Sequence, residues 1–272
     1  MLSVNPFAVA GASLPAGFLQ GFLVVMAVAV VAGTLFDIIH KGSARYFFNN
    51  MTKARAKGRE LGSGELVSIA VQTAVVDVLA SGEFCNQKRR IAHLLGMYGF
   101  ILYIVATAVM VFAYPATSEA GVWPLVWWIG AAMVLLGGYW FWFFIRVDVA
   151  AEGHSPFRVV RADLFVLSML ASVTIGVIWA SMGGRNGVLF WLYLLATAVL
   201  FFGVPWSKFA HMFFKPAAAF DKRVSRANGT AENLPLQTRD DPEQQKRHSM
   251  ELLQDAPMDM GLGIKREAPR HY

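Results

Sequence analysis

Five long apolar runs dominate the chain, at 16–39, 92–114, 122–146, 163–182 and 187–206. Each holds roughly 20 residues, enough for a helix rising about 1.5 Å per residue to cross about 30 Å of hydrocarbon. The runs are continuously apolar rather than alternating, so they do not read as strands of a membrane barrel. In lipid every backbone amide must be paired within its own segment, which makes these runs helices. Between the first two the pattern changes. Residues 41–64 are basic with scattered aromatics (Arg45, Tyr46, Phe47, Phe48, Lys53, Arg55, Lys57) and read as an interfacial helix with its cations among headgroups. Residues 65–80 place apolar side chains at helical spacing, interrupted by Gln72 and Asp77. That stretch is too short and too polar to span, and is expected to lie as an amphipathic helix on the membrane or against the bundle. Tyr114-Pro115 with Gly121, and Gly183-Gly184, mark two short turns. Residues 217–272 are polar and charged with no sustained apolar face, the pattern of a disordered or partner-ordered tail. The predicted architecture is an all-α membrane protein: an N-terminal segment 1–15, a five-transmembrane-helix bundle over 16–216 with amphipathic interfacial helices between spans one and two, and a tail over 217–272.

Composition agrees with the pattern. Apolar residues make up 56% of the 272 and charged residues 15%, against about 25% charged in a soluble domain. Charge position sets the expected orientation. Nine Lys and Arg lie in 41–90, three in 146–161 and eleven in 208–272, leaving only Arg185 elsewhere. In a five-span chain those three segments share one face, and the excess of cations marks it as cytoplasmic. The N-terminus is then outside and the C-terminus inside, as in a multi-pass protein of the bacterial inner membrane. Residues 1–18 hold no Lys or Arg, so the basic start of a signal peptide is missing and 16–39 reads as a retained span. The pI near 9.5 follows from this topology and from attraction to anionic lipid; no nucleic-acid-binding motif accompanies it. Trp123, Trp127, Trp128, Trp140, Trp142, Trp179, Trp191 and Trp206 fall near span ends and read as an interfacial belt.

The candidate chemistry rests on histidine. His93 opens the second span and His211 closes the fifth, and antiparallel helices bring these ends to one face. Two imidazoles from facing helices can hold a b-type haem iron axially. The plainer alternative is that each merely hydrogen-bonds at a helix end. Lys88, Arg89 and Arg90 precede His93, and Lys208 and Lys215 flank His211. Cations there would pair with haem propionates or a quinone, although the cytoplasmic excess of cations already accounts for them. His40 ends span one and offers a quinone oxygen a hydrogen bond or iron a substitute ligand; a polar helix-end residue is the simpler reading. Cys85 is the lone cysteine, so no disulfide forms within the chain and no CxxC provides an iron–sulfur or zinc site. Asp37, Asp148 and Asp163 sit near span ends with Arg146 and Arg161 close in sequence, which predicts local ion pairs rather than a proton path.

The stretch VDVLASGEFCNQKRRIAHLLGMYGFILY, residues 76–103, resembles the approach to the second helix in membrane subunits of the nitrate reductase gamma family. It is especially similar to the membrane part of quinone-interacting oxidoreductases. The shared elements are a short helix ending in DVL, the pair Phe84-Cys85, a basic run, His93 and Gly99-Phe100. The stretch GVPWSKFAHMFFKP, residues 203–216, resembles the end of that family's fifth helix. The resemblance implies axial ligation of one haem b near the cytoplasmic face by His93 and His211, with Arg89, Arg90 and Lys208 toward the propionates or quinone. It implies a membrane anchor and electron-transfer subunit, not catalytic by itself, between the quinone pool and cytoplasmic flavin/iron–sulfur oxidoreductase subunits. Chain length and the missing iron–sulfur domain are similar to the membrane-anchor family of dissimilatory adenylylsulfate reductases, which makes such an enzyme the implied partner. Two-haem members carry a second pair of histidines where this chain has Tyr103 and Tyr193, so the outer haem is expected to be lost. Two other readings stay open: a haem-free structural anchor, and a small transporter. The lack of a charged residue at any span midpoint weighs against the transporter.

Overall fold

The protein is described here from a computed structural model. It describes residues 2–41, 48–49, 51–53, 56–82, 84, 87–146, 157, 159–160, 163–204 and 211–230. Among them there is no strand, only an isolated bridge between Val4 and Glu119. The helices are α1 (Pro6–Gly11), α2 (Phe18–Lys41), α3 (Ser63–Gln72), α4 (Gln87–Phe112), α5 (Trp123–Trp140), α6 (Leu164–Ser181), α7 (Val188–Phe202) and α8 (His211–Ala227). Two π-helical segments, Thr73–Leu79 and Phe141–Ile145, continue α3 and α5.

Four helices are long and apolar enough to cross a membrane: α2, α4, α5 with its π extension, and α6. The protein therefore has the build of a multi-pass membrane protein. The fifth apolar run forms a shorter helix of 15 residues, about 22 Å at 1.5 Å per residue and less than the hydrocarbon thickness. It ends at Gly203, two residues before Pro205, and proline cannot donate the next helical hydrogen bond. The sequence reading carried this run to 206.

The chain divides into two compact units, Met1–Ala44 with Gln87–Lys215, and Arg45–Asn86 with Pro216–Tyr272. In the first unit the densest packing joins α4 to α5. Glycine makes this possible. A Cβ on Gly99 would stand 2.8 Å from the Gly130 carbonyl oxygen, and one on Gly137 would stand 2.7 Å from that of Ala92. Small residues at such crossings let helix backbones touch, which is how helices associate where lipid supplies no hydrophobic drive. Helix α2 is the least buried of the four candidate spans. Val28, Val31 and Ile39 are at least 59% exposed on it, as a lipid-facing surface would be.

The N-terminal segment closes the end of this unit away from the basic residues. Asn5 is fully buried and caps α1, its Oδ1 accepting from the Phe7 and Ala8 amides. Its Nδ2 donates to the Tyr114 carbonyl at 2.9 Å and to those of Met110 and Thr117. The Met110 carbonyl is one of the last four of α4, which lack a partner within the helix, and those of Tyr114 and Thr117 lie in the turn that follows. The turns behave as read: Gly121, Gly183 and Gly184 have φ of 56°, 95° and 65°, the left-handed region open to glycine.

The second unit pairs α3 and its π extension with α8. Arg223 makes a two-armed bridge to Asp77, at 2.6 and 3.0 Å. The Arg59 amide donates to the Asn228 carbonyl at 3.0 Å. The helix expected over 65–80 is thus present as Ser63–Leu79. Most of the basic stretch before it lies outside the described residues. Helix α8 carries regular structure to Ala227, ten residues past the point where the tail was read to begin; residues 231–272 lie outside the described residues.

The belt reading of tryptophan needs correction at three positions. Trp127, Trp179 and Trp142 are 0%, 2% and 8% exposed. Trp127 donates to Thr107 Oγ1 at 3.0 Å and Trp179 to the Arg185 carbonyl at 2.9 Å. With the indole N–H of Trp127 and Trp179 partnered inside the protein, these two rings join the core instead of seeking the headgroup layer; Trp142 is buried beneath the Arg146 guanidinium. Trp191, 48% exposed, keeps the surface position expected of it.

Candidate functional site

The basic end of the first unit holds the candidate site. Helix α4 begins with Gln87-Lys88-Arg89-Arg90 and reaches His93 in its second turn. Its side chain is on the exposed surface of the helix, while its neighbour Ala92 is buried against Gly137 of α5. Among the described residues nothing lies within 4 Å of where a Cβ on Gly96 would stand. Gly96 follows His93 by three residues and so shares its face. Phe100, seven residues from His93, continues that face and meets Phe201 of α7 with ring centroids 6.4 Å apart. The His93 face of α4 therefore looks toward the helix whose continuation leads to His211.

His211 is the first residue of α8; its side chain lies outside the described residues, as does Lys208. Lys215, one turn further along α8, is near enough to His93 to act on it electrostatically. Arg89 donates to the Ile145 carbonyl at 3.3 Å, at the π-helical end of α5, and Arg90 is half-buried on the adjacent position. His40, on the last turn of α2, is exposed and stacks on Phe36 with centroids 5.1 Å apart. No described contact joins it to His93.

A buried ion pair flanks this region. The Arg146 guanidinium grips both carboxylate oxygens of Asp163, its Nε donating at 2.9 Å, and their side chains are 9% and 13% exposed. It also lies 4.1 Å from the Trp142 ring centroid, a cation–π contact. This is the local pair expected of two span-end charges; Asp148 and Arg161 lie outside the described residues. The π segment has its own role here: the Arg146 amide donates to Phe141 five residues back, at 2.8 Å.

The fit of a haem rests on the α4 side. An exposed imidazole, an open Cβ position at Gly96, the rings of Phe100 and Phe201, and Arg89 and Arg90 one turn before His93 are residues that could hold a flat, anionic macrocycle. Among the described residues no three His, Cys, Asp and Glu side chains gather into a metal-binding group. A bis-imidazole site needs only two.

At the opposite end the positions expected to have lost a second haem do meet. Tyr103 of α4 and Tyr193 of α7 touch hydroxyl to hydroxyl at 3.4 Å, each 3% exposed. Tyr103 stacks on Trp127 at 4.9 Å and Tyr193 on Trp179 at 5.4 Å. Phe7 closes over Trp127, Trp179 and Tyr193. Ser172 and Thr197 share a hydrogen bond at 2.7 Å nearby. The space is filled by protein. Asn5, Thr107 and Gly176 were missed in the sequence. Their importance comes from distant partners, and an isolated Asn or Thr in an apolar stretch was the only signal. Comparison of the chain with family models, with curated proteins and with solved structures gave no match.

Proposed function

We propose that this chain is a membrane anchor and electron-transfer subunit that holds one b-type haem at the cytoplasmic face of a bacterial inner membrane. It connects a cytoplasmic flavin/iron–sulfur oxidoreductase to the quinone pool, and adenylylsulfate reductase is the partner the resemblance names. In this reading α7, with the residues after it, is the fifth span. The observation that carries the proposal is the approach of Lys215 to His93. Lys215 is four residues from His211, so its electrostatic reach to His93 supports a site built from both histidines.

His93 supplies a neutral imidazole from a helix locked to α5 by glycine contacts, so its position is held by backbone packing. His211 supplies the second imidazole. Arg89 and Arg90 offer positive charge to the propionates, as the resemblance also implies for Lys208, and Arg89 is steadied by the Ile145 carbonyl. Haem, when bound, supplies one-electron transfer whose potential depends on these ligands and their surroundings. The tyrosine pair and its tryptophans support a single haem, because they occupy the second position. Electrons then enter and leave at the cytoplasmic side.

The test is a dithionite-reduced minus oxidised spectrum with haem quantified per chain, on wild type, His93→Ala and His211→Ala. One haem b in wild type, lost in both variants, is the expected result. Folded wild-type protein without a Soret band would instead make the chain a haem-free docking anchor.

A further inference from the structure

The helix Ser63–Leu79 has two unlike faces. On one, Thr73 is buried and Asp77 is bound by Arg223 of α8. On the other, Val67, Val71, Val75 and Leu79 recur every four residues and are 63%, 57%, 51% and 52% exposed. In an α-helix a four-residue step overshoots a full turn by about 40°, so such a stripe winds around the helix. Here Thr73–Leu79 is π-helical. The wider π turn makes the same step undershoot, which cancels the drift and runs the stripe straight. Asp77 stays on the opposite face and fixes which side is presented outward.

The chemistry of the surroundings selects an occupant. The helix has two acids, and both are paired: Glu65 with Arg59 at 2.9 Å, Asp77 with Arg223 at 2.6 Å. The helix itself therefore carries no uncompensated negative charge, although Glu60 is exposed just before it. Exposed cations lie on either side of it in sequence, Lys53 and Lys57 before and Lys88 after. The chain also ties this helix to the membrane. Seven residues separate Leu79 from Gln87, the start of a spanning helix, a reach of at most about 28 Å. An apolar stripe flanked by cations and tethered this closely matches an anionic lipid surface.

We propose that Ser63–Leu79 is an in-plane anchor, with Val67, Val71, Val75 and Leu79 set among the acyl chains of an anionic leaflet and α8 on its polar side. This stands whether or not the chain binds haem. The full-length protein with Cys85→Ser is reconstituted in nanodiscs containing phosphatidylglycerol. A spin label is placed at Val71→Cys or Val75→Cys, with Gln72→Cys, on the side of Arg223, as reference. Collision with oxygen, which concentrates in lipid, is compared with collision with a water-soluble nickel chelate. The expected result is an oxygen-to-nickel ratio above one at 71 and 75 and below one at 72. Nickel access at 71 and 75 equal to that at 72 overturns the proposal by placing the stripe in water. Low access to both reagents overturns it by placing the stripe under protein.

Discussion

Gly176 shows how finely the buried polar centre is fitted. A Cβ there would stand 2.8 Å from the Tyr103 hydroxyl and 3.0 Å from the Tyr193 ring. Gly176→Ala must push one tyrosine out of its stack on tryptophan, and overpacking of this kind costs about 1–3 kcal/mol. Thermal unfolding in detergent, followed by tryptophan fluorescence, should show the loss. Adding Tyr103→Phe removes the oxygen at 2.8 Å and should recover part of it; an Ala variant as stable as wild type would mean that this centre is loosely packed. Residues of this kind are hard to read from sequence. Gly176 looks like any small residue in an apolar run, and Trp127 and Trp179 occupy span ends, where belt and core placement give the same pattern. What separates the two is the partner of each indole N–H, Thr107 and the Arg185 carbonyl.

Elements were more legible than residues because their signal is summed over many positions. The apolar runs recur as α2, α4, α5, α6 and the shorter α7. The π segments were not foreseen, since both satisfy the same apolar pattern as an α-helix and differ only in hydrogen-bond step. Between elements, the Arg146–Asp163 bridge ties the π end of α5 to the start of α6. With both side chains largely shielded, Arg146→Met leaves a buried carboxylate with the Val160 amide but no cation and should cost about 3–5 kcal/mol, whereas Arg146→Met with Asp163→Leu should be closer to wild type. Denaturant unfolding of the two variants separates these outcomes. The start of α3 gives a pH effect. The Arg59 side chain first, and then the Gly62 amide, hold the Glu65 carboxyl below its ordinary value. A carboxyl lowered on folding stabilises fully above its unfolded pKa and loses that stabilisation as pH falls through the folded one. Amide exchange at Gly62 and Leu66 should therefore be slower than in Glu65→Gln at neutral pH, and the two should converge in acid. A difference that persists in acid would refute the role of ionised Glu65.

For the whole molecule, the two ends of the bundle are built differently. Beside His93, at the basic end, the Cβ position of Gly96 is open, and the other end is packed with aromatic rings around Tyr103 and Tyr193. Replacing both tyrosines with histidine restores a ligand pair without making room for a macrocycle between Phe7, Trp127 and Trp179. The double variant should still hold no more than one haem per chain by pyridine haemochrome assay; a second haem would show that the plug yields. The candidate site was legible in so far as His93 and the basic run before it could be placed on one helix end. Phe100 stood out only as part of the Gly99-Phe100 resemblance, and Gly96 and Phe201 did not stand out, because their relation to His93 depends on how α4 faces α7.

The buried Asn5 also dictates an order of events during biosynthesis. Its acceptors, the carbonyls of Met110, Tyr114 and Thr117, are made more than a hundred residues after it. Until the ribosome has delivered α4 and its following turn, the amino-terminal segment has nothing to hold, and α2, with little burial of its own, must wait loosely in the bilayer. Helix α2 is thus held by the amino-terminal clasp only after a helix made later than itself has arrived, so an early helix is secured late.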